Sequence, residues 1–318
     1  MGRIDEAKQL RDLWSGFWAA RVVLTANNLR VFDHLARPLT APEAAELLGA
    51  DTRGTEILLN ALVSLGLLTK RGGRFVNSAV ARRYLVAGAP WYMGDIIRHS
   101  DTLWRNWSGL DEVVRTGRPA RLAHDHDAFI RGMHNLASFK DRDLMKAIGL
   151  KGVATALDLG GGPGTYSMAM ARKGIRATLF DMPDTIRIAR ELVHESGVEG
   201  VSFREGDFLA DDIGAGYDLI LVSQVIHAYG PAENRVLLEK CRAALNPGGR
   251  VAIHEFLIDR SQSMPRSGAL FAVNMLVNTD HGRCYPPEEI ARLLRRAGFR
   301  STATTTFGDG VLVSGNVP

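Results

Sequence analysis

Cysteine is almost missing from this chain: Cys241 and Cys284 are the only two in 318 residues, 43 positions apart. Neither a disulfide framework nor a metal-ligand spacing can be built on such a pair, so both thiols read as packing residues in a reducing compartment. Long apolar runs are absent as well. The stretch after residue 12 is cut by Arg21 and Arg30, which excludes a spanning helix of ~20 apolar residues and a clean secretory h-region. Gly2 is followed by Glu6 where a myristoylation site needs Ser or Thr. The expectation is a cytoplasmic protein without a membrane anchor, in which the Asn106-Trp107-Ser108 sequon has no use. Excess charge is also lacking. Lys plus Arg number 39 against 35 Asp plus Glu, a net +4 that does not argue for a nucleic-acid partner. No internal repeat and no low-complexity tract occurs.

What is present is ordinary globular composition, 46% hydrophobic and 23% charged, over a length that suits two domains. Residues 8–36 carry apolar positions at helical spacing, among them Leu10, Leu13, Trp14, Phe17 and Trp18. Thr40, Pro42 and Glu43 form the signature of a helix start, and Gly49 marks its end. Asp51 caps a second helix with Ile57, Leu58, Ala61, Leu62 and Leu65 on one face. Residues 67–69 and 74–76 then flank Arg71-Gly72-Gly73 as a two-stranded wing. Helix, helix, wing is a winged-helix pattern. A DNA reader would cluster basic and amide side chains on the second helix, yet residues 52–65 offer only Arg53 and Asn60, opposed by Glu56. The alternative use is a dimerisation platform.

Residues 90–148 read as helical, with an aromatic segment at Trp91, Tyr92, Trp104 and Trp107 and a loop at Gly117-Arg118-Pro119. The period then changes. Apolar runs at 153–159, 175–180, 200–204, 217–223 and 249–257 alternate with helical stretches near 165–173, 184–196 and 231–245. That alternation predicts an α/β domain with a parallel sheet covered on both faces. Residues 300–306 and 310–315 flank Gly308-Asp309-Gly310 as a terminal antiparallel hairpin. The expected division is a winged-helix dimerisation domain over 1–88, a helical linker contributing to a substrate pocket over 89–150, and a ligand-binding domain over 151–318.

The sharpest local signal is Asp158-Leu159-Gly160-Gly161-Gly162-Pro163-Gly164-Thr165, a strand running through a glycine cluster into a helix. A dinucleotide fingerprint begun at Gly160 needs Gly or Ala at 165, where Thr165 stands, and a phosphate loop would need a lysine that is absent. The remaining pattern suits S-adenosylmethionine, which brings no pyrophosphate and needs close backbone approach with a carboxylate near its amino-acid end. Asp181 ends the next strand, where a carboxylate can accept from both ribose hydroxyls, a role equally open to an NAD site. Asp207 ends the third and can accept from the adenine amino group while Phe208 covers the ring; a plain turn residue is the alternative.

Nine histidines occur. His34 and His194 have charged neighbours and read as solvated. His124-Asp125-His126-Asp127 has the look of a metal cluster, but Asp127 reads as a helix N-cap, and no metal is assigned. His227 follows the fourth strand on the cofactor edge, where an imidazole can take the proton of a phenol-like hydroxyl. Position alone also allows a capping or core histidine. Glu255, ending strand five on the same edge, is the natural carboxylate to orient that imidazole.

In this order, Asp158 to Gly164, Phe180-Asp181-Met182-Pro183, Gly206-Asp207-Phe208, Val225-Ile226-His227 and Asn246-Pro247-Gly248-Gly249 resemble the S-adenosylmethionine-dependent O-methyltransferases of the plant caffeate and hydroxyindole type, bacterial small-molecule members included. The resemblance spans nearly the whole chain. It implies a class I methyltransferase domain with a seven-stranded, mostly parallel sheet, a homodimer made by the N-terminal domain, and methyl transfer to a hydroxyl of a small aromatic or enolic molecule, with S-adenosylhomocysteine as product. Cofactor contacts carry over to Asp158, Gly160, Gly162, Asp181, Asp207 and Phe208, the base to His227 and one flanking glutamate to Glu255. Substrate-lining positions match Met133, Asn274 and Asn278. Ser223, also assigned to the cofactor, stands where the family often has a lysine near the adenine, and Cys284 where a second flanking glutamate is usual. The neighbouring His281 could replace that glutamate as a polar partner or join His227 around a metal. Methyl transfer to carbon or nitrogen through the same histidine is the alternative activity.

Overall fold

The computed structural model describes residues 3–318, so Gly2, and with it the myristoylation reading, lies outside the described residues. The chain divides into two compact units, one up to Thr102 and one from Leu103 onward.

In the first unit, helices Arg3–Ser15 and Phe17–Asn28 precede the winged-helix elements. The Thr40 hydroxyl accepts from the Glu43 N–H while the Glu43 carboxylate accepts from the Thr40 N–H, which starts helix Ala41–Leu48 as the sequence predicts. Gly49, at φ +59°, ends it. Asp51 accepts from the Gly54 N–H at 2.7 Å to open helix Thr52–Ser64. The wing has one strand more than expected. β1 (Leu39–Thr40) adds to β2 (Leu68–Arg71) and β3 (Arg74–Asn77) in the order β1-β3-β2, all antiparallel. Two residues are too few to show a period, which is why this strand escaped the sequence reading. Phe32, Leu35, Leu39, Leu59, Leu62, Leu68 and Phe75 fill the core beneath it.

The second unit is built on a sheet of β4 (Thr155–Leu159), β5 (Arg176–Asp181), β6 (Val201–Glu205), β7 (Tyr217–Ser223), β8 (Leu245–Phe256), β9 (Arg300–Phe307) and β10 (Gly310–Asn316). The order is β6-β5-β4-β7-β8-β10-β9, parallel from β6 to β8, with β10 antiparallel to both neighbours. Leu157, Leu159, Leu219, Ile220, Leu221 and Val222 are fully buried, as continuous apolar runs in a doubly covered sheet require. One face packs on helices Pro231–Ala244 and Pro287–Arg296, the other on Asp141–Ile148 and Thr165–Ala171. The order turns back between β4 and β7, and a crevice at the carboxyl ends of strands is where open α/β sheets take ligands. Among the described residues no helix is long and apolar enough to cross a membrane.

Candidate active site

The glycine turn joins β4 to helix Thr165–Ala171, with Gly160, Gly162 and Gly164 all at positive φ. Two of its residues are also crowded. A Cβ on Gly160 would come within 2.8 Å of Val225 Cγ2, and one on Gly161 within 2.6 Å of Asp158 Cγ. At Gly162, by contrast, the same position meets nothing within 4 Å. Asp158 is fully buried beneath this turn. Its Oδ2 accepts from the Ser167 N–H (3.0 Å) and hydroxyl (2.8 Å), while Oδ1 has no partner among the described residues. Burial pushes the Asp158 carboxyl up to about 6, opposed by the two Ser167 bonds.

Asp181, at the end of β5, accepts from the Gly162 N–H at 2.9 Å through Oδ2 and from the Met182 N–H at 2.8 Å through Oδ1. The Thr185 side chain also bonds this carboxylate, so three of its four acceptor positions are taken and one stays open to a hydroxyl. Asp207 follows β6 and uses Oδ1 to accept from the Leu209 N–H at 2.8 Å. The Phe208 ring reaches back toward Gly160 and meets Tyr229 edge-on at 5.4 Å. Asp158, Gly160, Gly162, Asp181, Asp207 and Phe208 thus line one edge of the sheet.

A residue that sequence reasoning missed pins the last of these. Lys240, on Pro231–Ala244, donates to the carbonyl oxygens of Phe208 (2.9 Å), Leu209 (2.9 Å) and Asp211 (2.7 Å). No local motif marks it, since its partners lie some thirty positions earlier. Ser223 faces the other way from Glu255: its hydroxyl is 2.8 Å from His254 Nδ1 and also bonds the Tyr166 side chain.

His227 sits on the short 3-10 turn Ile226–Ala228, just after Gln224, whose φ of +56° turns the chain sharply off β7. Its Nδ1 is 2.7 Å from Glu255 Oε2, and its backbone N–H donates to Glu255 Oε1 at 3.3 Å. The His227 carbonyl accepts from the Arg283 N–H at 2.8 Å, so the turn is held from both sides. The ring is edge-on to Phe271 at 4.9 Å and tilted against Phe256 at 6.0 Å. Glu255 is 2% exposed. An ionised carboxylate only accepts, so Nδ1 carries the proton and the Nε2 lone pair remains, without a partner among the described residues.

Cys284 is buried and donates weakly to the Gly268 carbonyl at 3.3 Å; burial pushes its thiol up to about 12, so it packs as a neutral group. His281 is exposed and makes no hydrogen bond with any described residue. Among the described residues no three His, Cys, Asp or Glu side chains are grouped to hold a metal ion. The reading of Asp127 as a helix cap needs correction. Helix His126–Ala137 starts two residues earlier than that reading implies, so Asp125 accepts from the Ala128 N–H and Asp127 pairs with Arg131 at 3.1 Å.

Of the expected acceptor-side residues, Asn274 and Asn278 lie together on helix Arg266–Asn278, the helix that presents Phe271 to His227. Trp107 donates through Nε1 to Asn274 Oδ1 at 2.9 Å, and Asn106 donates to Asn278 Oδ1 at 2.8 Å. Met133 is half-buried on a separate helix, His126–Ala137.

Three acids on successive parallel strands, a glycine turn and a histidine held by a carboxylate on one sheet edge define a nucleoside-binding transferase of the doubly wound class. Comparison with known proteins makes this specific. Residues 92–300 match the O-methyltransferase domain family and residues 11–87 the O-methyltransferase dimerisation domain family. The 3-hydroxy-5-methyl-1-naphthoate 3-O-methyltransferase of Streptomyces sahachiroi is 34% identical over 94% of this chain and 91% of that enzyme. Bovine acetylserotonin O-methyltransferase is 33% identical over 94% of each chain. The crystal structure of human N-acetylserotonin methyltransferase in complex with S-adenosylmethionine superposes with a TM-score of 0.90, 28% identity and coverage of 100% of this chain and 99% of that one. The chain belongs to the S-adenosylmethionine-dependent O-methyltransferases that carry a dimerisation domain, and it methylates small molecules on oxygen with that donor.

The crevice fits the donor on its own evidence. The unpartnered buried oxygen of Asp158 gains from a cationic ligand, and the open face of Gly162 leaves room for close approach.

Proposed function

We propose that the protein methylates a phenolic or enolic hydroxyl of a small, mainly aromatic molecule, with His227 as general base and Glu255 as its support. The observation that carries this reading is the His227 ring itself: Nδ1 is committed to Glu255, which leaves Nε2 as the proton acceptor. Two aromatic side chains against the imidazole, Phe256 and Phe271, supply a flat apolar wall. Two relatives named for a hydroxynaphthoate and for acetylserotonin, both fused-ring phenols, support an aromatic acceptor.

S-Adenosylmethionine supplies an electrophilic methyl group on a sulfonium. Asp181 would accept from a ribose hydroxyl, Asp207 from the adenine amino group with Phe208 over the ring, and Asp158 would face the charged end, with Gly160 and Gly162 allowing contact and Ser223 bordering the site. His227 Nε2 takes the hydroxyl proton as the acceptor oxygen becomes a nucleophile, and Glu255 stabilises the resulting imidazolium through Nδ1–H. Met133, Asn274 and Asn278 line the acceptor side. The remaining work is positioning, which holds the hydroxyl where attack is in line.

The homodimer is proposed to form through the first unit. Leu10, Leu13, Trp14 and Trp18 are all at least 60% exposed there, a concentration of large apolar side chains that a lone subunit would rarely show to water. Incubation with isotope-labelled donor and a panel of naphthols and hydroxyindoles tests the chemistry. Label in an O-methyl ether supports it, and label on carbon or nitrogen overturns it.

A further inference from the structure

Four side chains form a hydrogen-bonded ladder along helix Arg266–Asn278, and its direction is dictated from both ends. The Trp107 indole N–H can only donate, so the Asn274 amide atom 2.9 Å away is the oxygen. At the far end, one amide atom of Asn106 accepts from the backbone N–H groups of Leu122 (3.0 Å) and Ala123 (2.8 Å), so that atom is also an oxygen. The Asn106 nitrogen then faces Asn278 at 2.8 Å, which makes the facing atom of Asn278 its oxygen. The Asn278 nitrogen turns back to Asn274, 3.0 Å from Oδ1 and 2.8 Å from the backbone carbonyl.

Asn274 Oδ1 therefore takes two donors, and the Asn274 amide nitrogen is the end left over, without a partner among the described residues. Rotating that amide would set its NH2 against the indole N–H and the Asn278 NH2, two donor–donor contacts at once. Phe271 and Asn274 are three residues apart on one helix face, so the spare donor stands about one turn along from the ring that touches His227.

We propose that Trp107 is a positioning residue that fixes Asn274 as a hydrogen-bond donor toward the acceptor. Preferred acceptors then carry an accepting oxygen, a ring carbonyl or carboxylate, within about one helical turn (~5 Å) of the hydroxyl that is methylated. The inference rests on the proposed phenol chemistry and narrows it. An acceptor without such an oxygen leaves the Asn274 N–H dry and unpaired, which is how a polar site rejects an apolar analogue.

The test compares a hydroxynaphthoate with the naphthol that lacks only the carboxylate, using the full-length enzyme. The parent protein should favour the hydroxynaphthoate about tenfold or more in kcat/KM, mostly through KM. Trp107→Phe keeps a ring and deletes the N–H; it should lower that preference several-fold while the donor KM stays within about twofold. Asn274→Asp keeps the shape but presents only acceptors, and should abolish or invert the preference. Equal kcat/KM for the two acceptors in the parent, or an unchanged ratio in both variants, overturns the proposal alone. Turnover of neither acceptor with donor binding intact overturns the phenol reading and this proposal with it.

Discussion

Glu255 grips His227 twice: Oε2 lies 2.7 Å from the imidazole Nδ1 while Oε1 accepts from the same residue's backbone N–H at 3.3 Å. One buried carboxylate thereby sets both the position of the turn and the tautomer of the ring. Cys284, where a second carboxylate would be usual, is neutral and bonded to Gly268, so no other acid is hydrogen-bonded to this imidazole among the described residues. Glu255→Gln keeps the size and one accepting oxygen but loses the charge. The loss of a charge-assisted bond is about 2 kcal/mol, which corresponds to a ~30-fold fall in kcat, with the donor KM nearly unchanged. Steady-state kinetics at saturating acceptor checks this.

Lys240 acts at a distance from the chemistry. Its three bonds to the carbonyls of residues 208, 209 and 211 hold the loop that carries Asp207 and Phe208. Lys240→Met keeps the stem and removes the donors. We expect donor Kd to rise about tenfold, as for the loss of one to two net hydrogen bonds, while kcat at saturating donor changes less than twofold. Calorimetric titration of the donor, set beside initial rates, separates the two effects.

Two buried groups give stability opposite dependences on pH. Burial holds the Asp158 carboxyl at about 6, above its ordinary 3.8, so the folded state binds that proton more tightly and stability falls as pH rises from about 4 to 6. Burial holds His254 at about 4, below its ordinary 6.5, so stability falls as pH drops from 6.5 toward 4. Each is worth roughly 3 kcal/mol at full extent, and in the parent protein the two nearly cancel. Asp158→Asn should therefore lose stability on acidification relative to the parent, and His254→Asn should gain it. Urea midpoints between pH 4 and 7 read both slopes.

Trp14 and Trp18 are 60% and 66% exposed on the first two helices. The double variant Trp14→Ser with Trp18→Ser should sediment at half the mass of the parent at micromolar concentration. It should also retain the circular dichroism of a folded chain.

Much of the layout of the candidate site along the sheet edge was readable from sequence because each part is local. The glycine turn, the acids at the ends of β4 and β5 and the one after β6, and His227 with Glu255 each follow from a short window and the alternation of strand and helix. The features that were not readable depend on distance or on one-residue detail. Asn106 meets Asn278 across 172 positions and Trp107 meets Asn274 across 167, and no periodicity reports such pairs. Lys240 looks like one more charged helix residue until the loop beneath it is seen. The same limit explains why Asp127 was read as the cap that Asp125 supplies, since only the folded backbone shows which carboxylate the Ala128 N–H reaches. Ser223 bonds His254 because β7 and β8 place the two in register, a pairing that only the assembled sheet reveals.

The proposed proton removal rests on Nε2 of His227 as the acceptor. Single-turnover rates of His227→Ala with bound labelled donor and an aromatic hydroxyl acceptor test this directly. The expected result is a methyl-transfer rate ~10²–10⁴-fold below the parent with donor affinity within about twofold. A transfer rate equal to the parent's would contradict the assignment and leave positioning alone to explain catalysis.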